Sequence, residues 1–152
     1  MTEGKTDRQE WMAVLAKAPL HLLEQCVKNL GELPEYRFLR SPEVGLTMVR
    51  GRAGGSGDTF NLGEMTLTRC VVQMTASTDA ESTGFGYVAG RSHTHAELAA
   101  VCDALLQHHQ WHDQIEATVI APLQVEYQRR VQETQQQTAA TQVEFFTMLR
   151  GE

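Results

Sequence analysis

The segment Arg50–Arg69 reads RGRAGGSGDTFNLGEMTLTR, with five glycines in twenty residues and arginine at both ends. Glycine-rich loops beside arginine are typical of phosphate sites, because glycine lets backbone amides approach an anion closely. A Walker A loop needs GxxxxGK followed by Ser or Thr, and this segment has neither the lysine nor that spacing. A dinucleotide-binding GxGxxG opens a helix, whereas TFNLGEMTLTR predicts a strand or hairpin. Neither nucleotide motif is present.

Three interpretations of this glycine-rich segment remain. The backbone amides of residues 54–57 could form an anion-binding nest, supported by Arg50 and Arg52, which share one face of the preceding strand because strand side chains alternate. The segment could instead be a flexible surface loop, since loops are commonly rich in glycine. It could also contact a partner protein. The candidate residues for anion binding or for such an interface are Arg50, Arg52, Gly54, Gly55, Ser56, Gly57 and Arg69.

Histidine forms a second cluster, because five of the six histidines lie between His93 and His112. His108 and His112 are four residues apart, which is the spacing of a zinc-binding pair on a helix. The sequence has no HExxH motif and no third ligand at a recognisable distance. Histidines near a helix C-terminus also interact favourably with the helix dipole. We therefore predict no metal site, and the role of the His108–His112 cluster stays open.

No other pattern predicts a catalytic residue. A GxSxG nucleophile elbow is missing, and Cys26, Cys70 and Cys102 have no activating pattern beside them. The carboxylates are too scattered to define an acid/base pair. An odd number of widely spaced cysteines favours a reducing, cytoplasmic environment over a disulfide framework. These features describe a subunit more readily than a self-sufficient enzyme.

A predicted helix over residues 123–149 carries a cluster of large apolar side chains at its end. Its middle, QETQQQTAATQ, has too few apolar residues to pack tightly on its own domain. Exposed aromatic side chains near a chain end usually mark a partner site. We therefore predict subunit contacts through this helix; alternatively, it folds back and buries the cluster in the chain's own core. The predicted interface residues are Phe145, Phe146, Met148 and Leu149.

The elements around these candidates predict an α+β fold. Residues 8–30 show helical periodicity interrupted by Pro19, which predicts two short helices or one broken helix. Four segments between Tyr36 and Arg91 are rich in β-branched and aromatic residues, and the gaps between them are too short for crossover helices. Those segments are YRFLR, VGLTMVRGR, MTLTRCVVQM and GFGYVAGR.

A packed helix is predicted over Ser92–Gln110, with a capping box from Thr94 to Glu97. Its predicted buried stripe is Leu98, Val101, Cys102 and Leu105. Together these elements predict a single domain over residues 1–152. It contains a mainly antiparallel sheet of about four strands, N-terminal helices, a packed middle helix and a long C-terminal helix.

The charge distribution restricts the possible partners. The net charge of −6 argues against general nucleic-acid binding, although residues 36–69 carry five arginines and three acidic residues, a local sum of +2. The longest nearly apolar stretch, ELAAVCDALL, is too short to span a bilayer. We expect neither a nucleic-acid nor a membrane partner.

Five segments, in this order and spacing, resemble the PhnG family, the G subunits of the bacterial carbon–phosphorus lyase core complex. The resemblance extends from about Arg8 to the C-terminus. The segments are RAGGSGDTFNLGEMTLTR (Arg52–Arg69), GYVAGRSHTHAE (Gly86–Glu97), DALLQ (Asp103–Gln107), IAPL (Ile120–Leu123) and VEFFTMLRG (Val143–Gly151).

The resemblance implies a subunit of a transferase complex in phosphonate catabolism. Such complexes replace the adenine of MgATP with a phosphonate and yield α-D-ribose 1-methylphosphonate 5-triphosphate. The implied partners are the H, I and J subunits and the ATPase-like L subunit. MgATP is a substrate of the complex, and the resemblance implies no cofactor and no catalytic residue for the G subunit itself. The alternative is a stand-alone anion-binding or metal-dependent enzyme that uses Arg50, Arg52 and the histidines.

Overall fold

Helices flank a three-stranded sheet in the computed structural model, which describes residues 3–75 and 82–150, with side chains for 7–75 and 82–139. The N-terminal helices are α1 (Glu3–Lys17) and α2 (Leu20–Lys28). The strands are β1 (Tyr36–Arg52), β2 (Thr59–Met74) and β3 (Thr83–Ala89). Then follow α3 (His93–Leu106), α4 (His109–Ile115), a π-helical turn (Glu116–Ile120) and α5 (Ala121–Arg150).

The sheet is antiparallel, with the strand order β1-β2-β3. β1 pairs with β2 from Tyr36 opposite Met74 to Arg52 opposite Thr59. β3 covers only the first part of this hairpin from the other side, because its pairing with β2 ends at Leu67. The far part of the hairpin therefore extends beyond the third strand.

The predicted fold class is confirmed, but the predicted number of four strands is wrong: the described residues form three. The segments YRFLR and VGLTMVRGR belong to one continuous strand of 17 residues. The residues between these segments include Pro42, and proline cannot donate a ladder hydrogen bond. β1 lies at the edge of the sheet, where the register shifts between Arg40 and Glu43. Proline is tolerated in such an irregular edge position.

The core lies between one face of the sheet and α3. The predicted stripe is confirmed for Val101, Cys102 and Leu105, each about 1% exposed, while Leu98 is half-buried. Two glycines of β3 let the helix approach this closely. A Cβ at Gly84 would lie 1.9 Å from the Ala100 carbonyl oxygen, and a Cβ at Gly86 would lie 2.1 Å from the Ala96 carbonyl oxygen. Other buried core residues include Leu15, Leu23, Val72, Val88, Ile115 and Leu123.

The start of α3 differs from the predicted capping box. Ser92 is the N-cap residue, and its hydroxyl accepts a hydrogen bond from the His95 amide at 3.2 Å. The Glu97 carboxylate instead accepts a hydrogen bond from the Tyr36 hydroxyl at 2.7 Å. Burial and this hydrogen bond raise the pKa of Tyr36 to about 12. The capping-box prediction is wrong because the N-cap Ser92 lies two residues before the predicted N-cap Thr94, so Glu97 lies beyond the N3 position that a capping box requires.

The other helix predictions are confirmed, apart from one boundary. The N-terminal segment forms two helices separated near Pro19, and α5 spans the predicted C-terminal helix. The predicted helix Ser92–Gln110 instead ends at Leu106, and His108 becomes the N-cap of α4. Among the described residues, no helix combines the length and the apolar character needed to cross a membrane.

Candidate functional site

The glycine-rich segment forms the tip of the β1–β2 hairpin. A short 3₁₀ turn, Ala53–Gly55, connects the strands. Gly54 and Gly55 have φ values of 64° and 78°, in the left-handed region that favours glycine. Their presence is thus explained by the turn geometry alone.

The predicted anion nest is closed by its own backbone. The amides of Ser56 and Gly57 both donate to the carbonyl of Ala53, the latter at 2.9 Å. A Cβ at Gly57 would lie 2.6 Å from the same carbonyl oxygen, so this position also requires glycine for steric reasons. Two of the four amides proposed to bind an anion therefore already have a partner.

The three candidate arginines do not lie together. Arg50 and Arg52 are exposed on one strand next to the tip, as the alternation of side chains predicts. Arg69 is the cross-strand neighbour of Glu43, seven positions from Arg50, which is about 23 Å along a strand. Its Nε donates to Glu43 Oε1 at 2.7 Å, and Arg40 donates to the same oxygen at 2.9 Å. The hydrogen bond from Arg69 lowers the pKa of Glu43.

Two residues of the histidine cluster have structural roles. The ring of His112 contacts the backbone carbonyl of Leu106 through Nδ1 at 2.7 Å and packs edge-on against Trp11. His108 Nδ1 accepts from the amide of Gln110 at the start of α4. Within the part of the chain that the structure describes, no group of three or more His, Cys, Asp or Glu residues is arranged to hold a metal ion.

The cysteines are poor nucleophiles. All three are buried and free. Burial raises the pKa of Cys70 to about 11 and that of Cys102 to about 12, and it also raises the pKa of Cys26. Because the thiolate is the reactive form, these side chains are unsuited to nucleophilic catalysis near neutral pH.

A small cleft of about 250 Å³ lies between α1 and the segment from α4 to α5. Three of its lining residues are the acidic Asp7, Glu10 and Glu116, which would repel phosphate or phosphonate groups. The cleft is therefore a poor candidate for an anionic substrate. The remaining lining residues are Trp11, Val14, His112, Ile120 and Gln124.

Asp103 is an important residue that sequence reasoning missed. Its carboxylate is fully buried and accepts from Trp11 Nε1 at 2.8 Å, from Arg8 Nη2 at 3.0 Å and from the Phe85 amide at 3.0 Å. These bonds join α1, β3 and α3, and the hydrogen bond from Arg8 to Asp103 raises the pKa of Arg8. A charged residue inside the apolar stretch ELAAVCDALL was a signal of such a buried partner. The role of Asp103 is structural.

The most distinctive surface is the far part of the hairpin, which we call the arm (Leu46–Thr66). The arm begins where β3 stops pairing with β2. Leu46 and Leu62 are 67% and 62% exposed, and Met48, Phe60 and Met65 are also exposed. Sequence reasoning predicted strands here but missed their exposure. The sequence did contain a signal for this exposure, because large apolar residues occur on both faces of this glycine-rich hairpin.

The predicted C-terminal interface lies outside the described side chains. The backbone of α5 is helical through Arg150, but Phe145, Phe146, Met148 and Leu149 follow the last described side chain, Ala139. Their use as a partner contact stays a prediction.

Comparisons with known proteins agree with this picture of a subunit. A family model described as phosphonate metabolism protein PhnG matches residues 6–151. The chain is also 41% identical to a protein of Rhizobium meliloti (strain 1021), over 98% of this chain and 92% of the relative. That relative is named α-D-ribose 1-methylphosphonate 5-triphosphate synthase subunit PhnG. With nearly its whole length matched, the chain belongs to the PhnG family of phosphonate metabolism proteins.

Proposed function

We propose that this chain is a non-catalytic subunit of a cytoplasmic α-D-ribose 1-methylphosphonate 5-triphosphate synthase that acts in phosphonate catabolism. The complex replaces the adenine of MgATP with a phosphonate, which is a transferase reaction. Its other chains are the H, I and J subunits and the ATPase-like L subunit. MgATP is a substrate of the complex, and this subunit binds no cofactor of its own.

The near-complete match to the PhnG subunit of such a synthase carries this proposal. The structure supports a dependent role in two ways. In the described residues the cysteines are buried, the histidines at 108 and 112 contact their own chain, and the cleft is acidic. The arm exposes apolar side chains that a partner could cover.

The experiment compares three purified samples with MgATP and methylphosphonate. These are the isolated chain, the co-expressed complex, and the same complex expressed without this chain. We expect adenine release, followed by chromatography, from the complete complex alone, because the described residues of this subunit contain no acid/base pair or activated nucleophile. Turnover by rigorously purified isolated chain, or full activity of the complex without it, would contradict the proposal.

The alternative of a stand-alone enzyme gains no specific support. It requires Arg50 and Arg52 to act together with the histidines of residues 108–112. The arginines lie at the tip of the hairpin, whereas His112 is held against α1 and the end of α3.

A further inference from the structure

The two faces of the arm differ in charge. Side chains alternate between faces along a strand, and cross-strand neighbours share a face. One face, which we call the apolar face, has no charged residue at the strand positions of the arm, all of which the structure describes; Asp58 lies in the turn between the strands. Leu62 and Phe60 crowd over Gly51 on this face, since a Cβ at Gly51 would lie 3.0 and 3.5 Å from their side chains. The apolar face is formed by Thr47, Val49, Gly51, Phe60, Leu62 and Met65.

The opposite face, which we call the charged face, carries the two arginines near the tip. Arg50 lies opposite Asn61, and Arg52 lies opposite Thr59. Neither arginine has a carboxylate as its cross-strand neighbour, and both residues are exposed. The other large side chains of this face are Leu46, Met48 and Glu64.

An uncovered arm of this kind is poorly stabilised. Its strands extend about 23 Å beyond the last residue that β3 pairs with, at about 3.3 Å per residue. Isolated two-stranded hairpins are only marginally stable in water, and clustered exposed apolar side chains usually mark a contact surface. A β-bulge at Leu62, between the pairs Val49–Gly63 and Arg50–Asn61, adds this exposed leucine to the apolar face. A partner that covers the face would stabilise the arm.

Charge complementarity indicates what kind of partner fits. Stable interfaces have an apolar centre depleted of charge and a polar rim. The apolar face provides such a centre. Arg50 and Arg52 lie on the opposite face, but the arm is only two strands wide and both are near its tip, so their long side chains can reach carboxylates at the margin of a groove that holds the apolar face. The matching surface is an apolar groove with acidic residues along one side.

A second copy of this chain fits less well. A closed pair of copies places the same patch against itself. Each copy carries a net charge of −6, and the arm itself is neutral because Arg50 and Arg52 are balanced by Asp58 and Glu64, so the arm offers nothing that offsets the repulsion between two copies. Contact between the arm and the acidic remainder of another copy would be head-to-tail, which gives rings or open chains.

We propose that the apolar face of the arm seats in an apolar groove of a different subunit of the complex, with carboxylates of that subunit meeting Arg50 and Arg52. This inference rests on the proposed function, because it names the surface through which the subunit joins the complex.

The test introduces a glutamate on each face of the arm in the co-expressed complex. Leu62→Glu places a charge in the groove, whereas Leu46→Glu is a matched control with similar exposure on the opposite face. Leu62→Glu should weaken association at least about thirtyfold, as loss of a central contact does, while Leu46→Glu should change it by less than about fivefold. Arg50→Gln combined with Arg52→Gln should slow association and reduce its dependence on salt.

Two measurements keep the test independent of folding. Circular dichroism melting of each isolated variant should match that of the unmodified chain, because both leucines are exposed. Amide hydrogen exchange across Leu46–Thr66 should be slower in the complex than in the isolated chain. Equal association of the two glutamate variants, or equal exchange in both states, would overturn the proposal. An isolated dimer that Leu62→Glu dissociates would assign the face to a second copy instead. If the unmodified chain joins no complex at all, that result contradicts the proposed function, whatever the role of the arm.

Discussion

At the scale of single residues, Asp103 is the polar group on which three elements depend. Its buried carboxylate accepts hydrogen bonds from α1 and from the backbone of β3. In Asp103→Asn, the side-chain NH2 group is itself a donor, so it would face other donors and could not accept their hydrogen bonds. Arg8 would also lose its charged partner. We expect a loss of about 2–4 kcal/mol in the free energy of unfolding, below the full cost of breaking a buried pair because Arg8 is partly exposed.

Urea unfolding followed by circular dichroism measures this effect. Asp113→Asn is the matched control, since it makes the same chemical change at an exposed position of α4. The control should leave the unfolding midpoint unchanged. Similar midpoints for the two variants would show that Asp103 does not hold the three elements together.

At the scale of elements, the packing of α3 on β3 depends on glycines. A Cβ at Gly84 would lie 1.9 Å from the Ala100 carbonyl oxygen and 2.7 Å from the Ala104 amide nitrogen. Both atoms are backbone, so the helix must move away from the strand. Gly84→Ala should therefore destabilise the chain by about 1–3 kcal/mol, the usual cost of overpacking, or more.

The sheet itself contains the control for this change. Gly45→Ala adds the same methyl group in β1, where no atom lies within 4 Å of the new Cβ. Urea unfolding of both variants separates steric overpacking from the general effect of replacing a strand glycine. A loss of stability at Gly45 as large as that at Gly84 would contradict the packing explanation.

Local signals explain which elements could be predicted from the sequence. Apolar periodicity and Pro19 were sufficient for the N-terminal helices, because helix boundaries depend largely on nearby residues. The continuity of β1 through Pro42 was not predictable, since it depends on this strand being at the sheet edge. The break before α4 is likewise tertiary, because His112 contacts the Leu106 carbonyl and Trp11 of α1.

In the candidate site, too, features set by nearby residues could be predicted, and features set by tertiary structure could not. The positions of Arg50 and Arg52 on one face could be predicted from strand alternation alone. The separation of Arg69 from them could not, because it depends on the register that places Arg69 opposite Glu43. The exposure of the arm also depends on where β3 ends, which no residue within the arm encodes.

At the scale of the whole molecule, the described part of α5 leaves the buried core after its first turn. Among the described side chains of this helix, 121–139, the last buried one is Leu123, and every side chain from Tyr127 to Ala139 is exposed. We therefore expect the chain to stay folded when Val143–Glu152 is deleted, but to lose its place in the complex. The removed segment contains Phe145 and Phe146, whose burial against a partner would contribute about 3–6 kcal/mol.

Circular dichroism melting of the truncated chain and its co-purification with the other subunits test the two halves of this prediction. The double variant Phe145→Gln with Phe146→Gln keeps the helix length and should assemble as poorly as the deletion, because the aromatic side chains supply the contact. A truncated chain that unfolds would show that the segment packs on its own core. A folded truncated chain that still assembles would leave the arm as the remaining anchor, since the arm and residues 143–152 are different segments of the chain and Leu62→Glu changes only the arm.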